Sequence, residues 1–310
     1  MKKIELHVHL DGSLNPTEVN KIMNNETRSL LIGKNKTSLE QYLNTFDLPI
    51  KLLQTRENLI NFSKTLAMDL YEDDVIYAEI RFCPLLHTSV LSKEEVVEAV
   101  LEGLRQVPEV KTRLILCMMR QFSMDKNLEI VKLAKNYLNK GVVGLDLAGD
   151  EARYKTATFK QLFEIIKIDN IPFTIHAGEA DGIESIEQAI SFGAKRIGHG
   201  IRAIESEETI NKIIKNNVTL EVCPTSNLDT GVYKNMDEYP VKKLIDKGVK
   251  ITINTDNRTV SNTTLEKEYT LLKENFKLTK NDFLNFNLNA IEASFLGESE
   301  KTELKYQLTK

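Results

Sequence analysis

The 310-residue chain contains no apolar run of 18 residues, so its sequence offers no membrane-spanning helix. It also lacks any block of five basic residues, and 41 Lys and Arg against 45 Asp and Glu leave a net charge of −4 and an isoelectric point near 5.9. Such a balance argues against an electrostatic grip on nucleic acid. Cysteine is scarce: Cys83, Cys117 and Cys223 are widely spaced, each in or at the end of an apolar run. They read as buried thiols in a reducing compartment rather than as a disulfide framework. With 14 glycines and 7 prolines the chain is poor in linker material. The opening segment, MKKIELHVHLDGS, has no apolar stretch of signal-peptide length, so the expected location is the cytoplasm. Hydrophobic residues make up 41%, enough for a sizeable core.

Short β-branched or apolar runs recur at Ile4 to His9, Val75 to Phe82, Thr112 to Met119, Val142 to Leu147, Phe173 to His176, Arg196 to Gly198, Thr219 to Val222 and Lys250 to Asn254. Between them lie stretches with apolar residues at three- and four-residue spacing, such as TFKQLFEIIKIDNI and ESEETINKIIKNN. SKEEVVEAVLEGLRQV adds a helix-start signal, Ser92 followed three residues later by Glu95. Eight strand-helix units predict an α/β fold, a parallel (β/α)8 TIM-type barrel, with an open doubly wound sheet as the competing arrangement. The rhythm breaks once. Residues 15–74, between the first and second strands, read as a helical lid insertion including SLEQYLNTFDLPIKLLQ, in one barrel domain covering 1–310. LEKEYTLLKENF, NDFLNFNLNAIEASF and KTELKYQLTK read as closing helices.

Of five histidines, His7, His9, His176 and His199 lie at downstream strand ends, and His87 follows another strand without an assignable role. A parallel barrel gathers those ends at one face. Strand alternation sends Glu5, His7 and His9 to one side and Ile4, Leu6 and Val8 to the other. Two imidazoles on one face suit core packing as well as metal binding, but Asp11 and Gly12 follow at once. In TIHAGE, Glu179 follows His176 by three residues, where a helix-start acid is the competing reading. His199 stands between Gly198 and Gly200, and ITINTDN ends the eighth strand with Asp256 and Asn257. The set suggests a metal-assisted hydrolase. No lysine ends the fourth strand, VVGLDLAGD, so a single metal is favoured; Zn²⁺ suits mixed nitrogen and oxygen ligands, with Fe²⁺, Co²⁺ and Mn²⁺ also compatible.

HVHLDGS, GLDLAGDE, TIHAGE, RIGHG, EVCPTSN and NTDN occur in the order and spacing of adenosine deaminases, and the chain resembles bacterial-type members of that family over nearly its whole length. The resemblance implies that His7, His9, His176 and Asp256 hold one Zn²⁺. It implies that a zinc-bound hydroxide attacks C6 of adenosine or 2′-deoxyadenosine while Glu179 protonates N1, with His199 and Asp256 orienting the hydroxide. It further places His9, Asp11, Gly149 and Asn257 against the substrate, with the Gly149 N–H on purine N3 and Asp11 on the ribose 5′-hydroxyl. Adenine-deaminating relatives carry Glu at that position, so Asp11 favours the nucleoside.

Asn257 stands where better-known animal members have a second Asp; its amide NH2 donates to purine N7 at any pH. Ser226 and Asn227 are expected to support the pocket, Cys223 to pack, and Arg81 to make an ion pair inside the barrel mouth. The expected partner is a small purine nucleoside, with neither nucleic acid nor membrane. Deamination of adenine or another 6-aminopurine, and a non-catalytic purine-binding protein, are the alternatives.

Overall fold

Eight parallel strands pair in the order of the sequence: β1 (Lys3–His9), β2 (Val75–Phe82), β3 (Lys111–Met119), β4 (Val142–Ala148), β5 (Phe173–Ala177), β6 (Arg196–His199), β7 (Thr219–Val222) and β8 (Lys250–Ile253). The structure, a computed structural model, describes residues 1–23, 31–32 and 44–310. Beyond β8 the ring closes through a bridge between Val8 and Asp256, where the His9 N–H donates to the Asp256 carbonyl at 2.7 Å and the Asp256 N–H to the His7 carbonyl at 2.8 Å. This closure makes the sheet a (β/α)8 barrel rather than an open sheet.

The helices between strands bury one stripe each: Leu162, Phe163 and Ile166 from Lys160–Ile168, Ile210 and Ile213 from Glu207–Lys215. Ser92 and Glu95 form the expected capping box at Lys93–Leu104, and Thr279 with Asp282 forms another at Lys280–Ala293. On β1, Ile4 and Leu6 point outward and pack against Ile291, Leu304 and Leu308 of the C-terminal helices Lys280–Ala293 and Glu298–Thr309.

The barrel interior is charged rather than apolar. Arg81 reaches Asp146 and Glu221, both at 2.8 Å, while Arg196 reaches Glu221 at 2.7 Å and also pairs with Glu79; all five side chains are fully buried. The Arg81 pair expected from sequence is therefore one link of a network spanning β2, β4, β6 and β7. Removing any one member would strand a buried charge.

In the insertion after β1, helix Pro16–Met23, a 3₁₀ turn at Asn44–Phe46, helix Asp47–Leu52 and helix Arg56–Glu72 are described. Residues 38–43 of the SLEQYLNTF stretch lie outside the described residues.

Candidate active site

His7 and His9 end β1, His176 lies near the end of β5, His199 ends β6, and Asp256 follows β8. The barrel brings them together. Ligand atoms of His7, His176, His199 and Asp256 all lie within 4.8 Å of one another. His9 joins from the side: its Nε2 stands 3.3 Å from His176 Nε2 and 3.3 Å from Asp256 Oδ1. His199 and Asp256 both adopt left-handed backbone, with φ of 61° and 57°. Such conformations cost free energy for non-glycine residues and persist where the surrounding fold imposes them.

The outer shell sets the tautomers. His7 Nδ1 donates to Glu221 at 2.8 Å and His176 Nδ1 to Asp146 at 2.9 Å, which turns Nε2 of each ring toward the cluster. His199 is arranged the opposite way. Its Nδ1 accepts from the Asn227 amide at 3.0 Å, and Asn227 is fixed in turn by the Tyr239 hydroxyl donating to its Oδ1 at 2.9 Å. The His199 proton therefore sits on Nε2, 3.5 Å from Glu179 Oε2. Ser226 donates to Asp256 Oδ2 at 2.6 Å, so Ser226 and Asn227 of EVCPTSN both brace the cluster.

Electrostatics match these roles. Burial lowers His9 and His199 well below the usual imidazole range, keeping both neutral. Burial works against ionisation of Asp256, but the hydrogen bond and charge of His7 outweigh it and hold the carboxyl well below its ordinary value. Glu179 goes the other way: burial first, then the nearby Asp256 and Glu151 carboxylates, raise it well above the carboxylate range. Thr230 Oγ1 donates to its Oε1 at 3.2 Å.

The Nε2 atoms of His9 and His176, 3.3 Å apart with His176 tied at Nδ1 to Asp146, converge beside the Asp256 carboxyl. His7 Nε2 is buried there, 3.4 Å from Asp256 Oδ1. This donor set fits a divalent cation, and the mixture of nitrogen and oxygen suits Zn²⁺.

The cluster floors a cavity whose walls include Ile50, Leu86, Met119 and the thiols Cys83 and Cys117. Phe46 and Asp47 of the insertion reach the same cavity, as do Asp11, Gly149 and Asn257. Asp11 is buried with Oδ1 unpartnered among the described residues, and burial pushes its carboxyl up to about 7. Gly149 has φ of 102°, and a Cβ there would lie 2.4 Å from Gln121 Oε1, so only glycine leaves the backbone open to the cavity. Cys223 is buried packing, as expected, and its thiol is raised well above its ordinary value, first by burial. His87 lies apart beside Phe82, with ring centroids 5.9 Å apart, and burial lowers it to about 4.

Asp146, Glu221 and Glu151 carried no assignment from sequence. The usable signal for the first two was a charged residue in the middle of an otherwise apolar strand, VVGLDLA and TLEV.

A family model described as adenosine deaminase matches residues 2–310. The chain is 42% identical to an adenosine deaminase of Haemophilus ducreyi, over 97% of this chain and 94% of that one. It is 40% identical to one of Clostridium acetobutylicum, over 99% and 97%. Among solved structures, that of Arabidopsis N6-mAMP deaminase superimposes with a TM-score of 0.89 at 28% identity, covering 100% of this chain and 98% of that chain.

Proposed function

The chain belongs to the adenosine deaminase family and is a hydrolase that deaminates adenosine; from that membership and the geometry above we propose how its residues divide the work. His7, His9, His176 and Asp256 hold one zinc ion. When bound, it supplies Lewis acidity and a water of lowered pKa.

Glu179 carries the proton that goes to purine N1, which makes C6 a better electrophile. Its burial beside Asp256 and Glu151 supports this, since burial first and then those charges raise the carboxyl well above its ordinary value and favour the form that carries a proton. His199 and Asp256 orient the attacking oxygen and handle its proton. The Gly149 N–H reads N3, Asn257 donates to N7, and His9 and Asp11 face the ribose. The unpartnered Asp11 Oδ1 is suited to a 5′-hydroxyl donor. The described part of the insertion, which brings Phe46, Asp47 and Ile50 to the cavity, acts as a lid over this pocket.

Nucleoside rather than nucleotide is the substrate. Among the described residues lining the cavity there is no Lys or Arg, while Asp11 and Asp47 stand in it, so a 5′-phosphate would meet carboxylates. The observation that carries the proposal is the convergence of the imidazole Nε2 atoms, with Asp146 and Glu221 behind two of them, beside the buried Glu179 carboxyl, 3.5 Å from His199 Nε2.

Glu179→Gln tests it. The variant is expected to hold zinc and bind inosine as the parent does while adenosine turnover, followed by its ultraviolet spectrum, falls by about 10² to 10⁴-fold. Parental turnover would remove Glu179 from proton delivery.

A further inference from the structure

The segment that carries Glu179 has an unusual anchor. After β5, residues 178–181 form neither helix nor strand, and Gly178 has φ of 72°. Their four successive backbone N–H groups have no carbonyl ladder to join, and all four turn toward one carboxylate. Gly178 donates to Glu151 Oε1 at 2.7 Å; Glu179, Ala180 and Asp181 donate to Glu151 Oε2 at 3.0, 2.8 and 3.0 Å. Ser185 Oγ adds a fifth bond to Oε1 at 2.5 Å. Glu151 is 1% exposed, so these bonds are not shared with solvent.

The same junction is held from the other side by a cation. Arg120, after β3, donates to the His176 carbonyl at 2.6 Å, to the Tyr154 carbonyl at 2.6 Å and to Thr156 Oγ1 at 2.8 Å. Arg120 thus gathers carbonyls and Glu151 gathers amides. A carboxylate in a concave set of N–H groups is a strong, directional arrangement. It is not a cap of the following helix, Ile183–Phe192, because its backbone bonds go to the four residues before Gly182, and Gly182 makes no side-chain cap.

Glu151 also stands two residues after Gly149. One turn leaving β4 therefore presents the backbone proposed to read purine N3 and the carboxylate that fixes the loop of the proposed N1 proton donor. The distance between those two functions is set by a three-residue segment, Gly149–Glu151.

We propose that Glu151 is a positioning residue for deamination: its carboxylate fixes loop 178–181 so that Glu179 meets N1 while N3 is held by Gly149. This rests on the assignment of Glu179 given above. A donor displaced by about 1 Å would lose on the order of 10²-fold in rate. Ground-state binding of the base depends on other contacts and would change little.

The test is Glu151→Gln, which keeps the size of the side chain but replaces one acceptor oxygen by an NH2 that faces donors. For the holoenzyme, kcat for adenosine is expected to fall by about 10²-fold, with zinc content and the Kd of inosine within about threefold of the parent. Parental kcat, or losses of kcat and inosine affinity that both follow the fraction of folded protein, would overturn the proposal.

Should Glu151→Gln not fold, Ser185→Ala decides, because it removes one of the five bonds and leaves the carboxylate. There kcat should fall severalfold at unchanged inosine Kd, and an unchanged kcat would overturn the proposal. Glu179→Gln run alongside separates the two ideas. If it turns over normally, the proton-donor assignment has failed; if it is inactive while Glu151→Gln is parental, only the anchor has failed.

Discussion

At the residue scale the site works by opposition between like groups. Glu179 and Asp256 are both buried carboxyls, yet His7 holds Asp256 well below the ordinary carboxyl range while burial, and then the neighbouring charge of Asp256, raise Glu179 well above it. Environments that push two carboxyls apart in this way assign base and acid roles. The same reasoning applies to His7 and His199, whose proton positions are set by Glu221 and Asn227. Asn257 shows how tightly neighbouring residues are matched. A Cβ on Gly12 would come within 1.8 Å of Asn257 Oδ1, so the glycine of HLDGS makes room for the amide. If that amide donates to N7, Asn257→Ala should raise the KM for adenosine and lower kcat/KM by about tenfold, the worth of one hydrogen bond to a neutral group. Zinc content should not change. Steady-state kinetics with adenosine check this, and parental values would remove the N7 contact.

At the scale of elements, β1, β5 and β6 carry the imidazoles toward their ends, while β4 and β7 supply charges that support them. β4 places Asp146 under His176, and β7 places Glu221 under His7. Burial opposes ionisation of Asp146, but His176 and Arg81 outweigh it and hold the carboxyl far below its ordinary range. Asp146→Asn would leave His176 without its charged acceptor and Arg81 with one partner fewer. Its expected effect is a 10- to 100-fold loss of zinc affinity, the usual cost of removing an outer partner of a ligand. Chelation followed by zinc titration, with adenosine turnover as the signal, measures it. Recovery at parental zinc concentrations would place Asp146 outside the metal's support.

The strand ends were legible in the sequence because His7, His9, His176, His199 and Asp256 each terminate an apolar run. The supports were not. Asp146, Glu221 and Arg196 make sense only once the barrel closes and sets alternate strands facing one another. Glu151 was harder still, since its partners are backbone N–H groups, which every residue but proline has and which no sequence pattern marks. Its role depends on a loop conformation and not on residue types.

At the scale of the whole molecule, the fold concentrates buried carboxyls around the catalytic end of the barrel, and this gives its stability a definite dependence on pH. Glu268, on helix Leu265–Phe276, is 1% exposed and accepts from the Thr225 N–H at 3.1 Å and from the Thr263 hydroxyl. It thereby ties a C-terminal helix to the start of helix Pro224–Asp229, which carries Ser226 and Asn227. Burial raises its carboxyl to about 7, from an ordinary value of 4.5.

Between those two values the unfolded chain has released this proton while the folded protein still holds it. The unfolded state then binds fewer protons, so the group's contribution is complete below about 4.5 and is lost as pH rises to about 7, with no further change above. The loss has a ceiling of about 3 kcal/mol. Glu5 and Asp11, also raised to about 7 by burial, act in the same direction.

Glu268→Gln keeps an acceptor for the Thr225 N–H and removes the titration. Urea unfolding at pH 5, 6.5 and 8 should therefore show the variant gaining on the parent as pH rises, with the largest advantage at pH 8. An advantage that stayed constant across the range would mean that Glu268 does not carry a proton in the folded protein, and that the pH dependence arises elsewhere in the barrel.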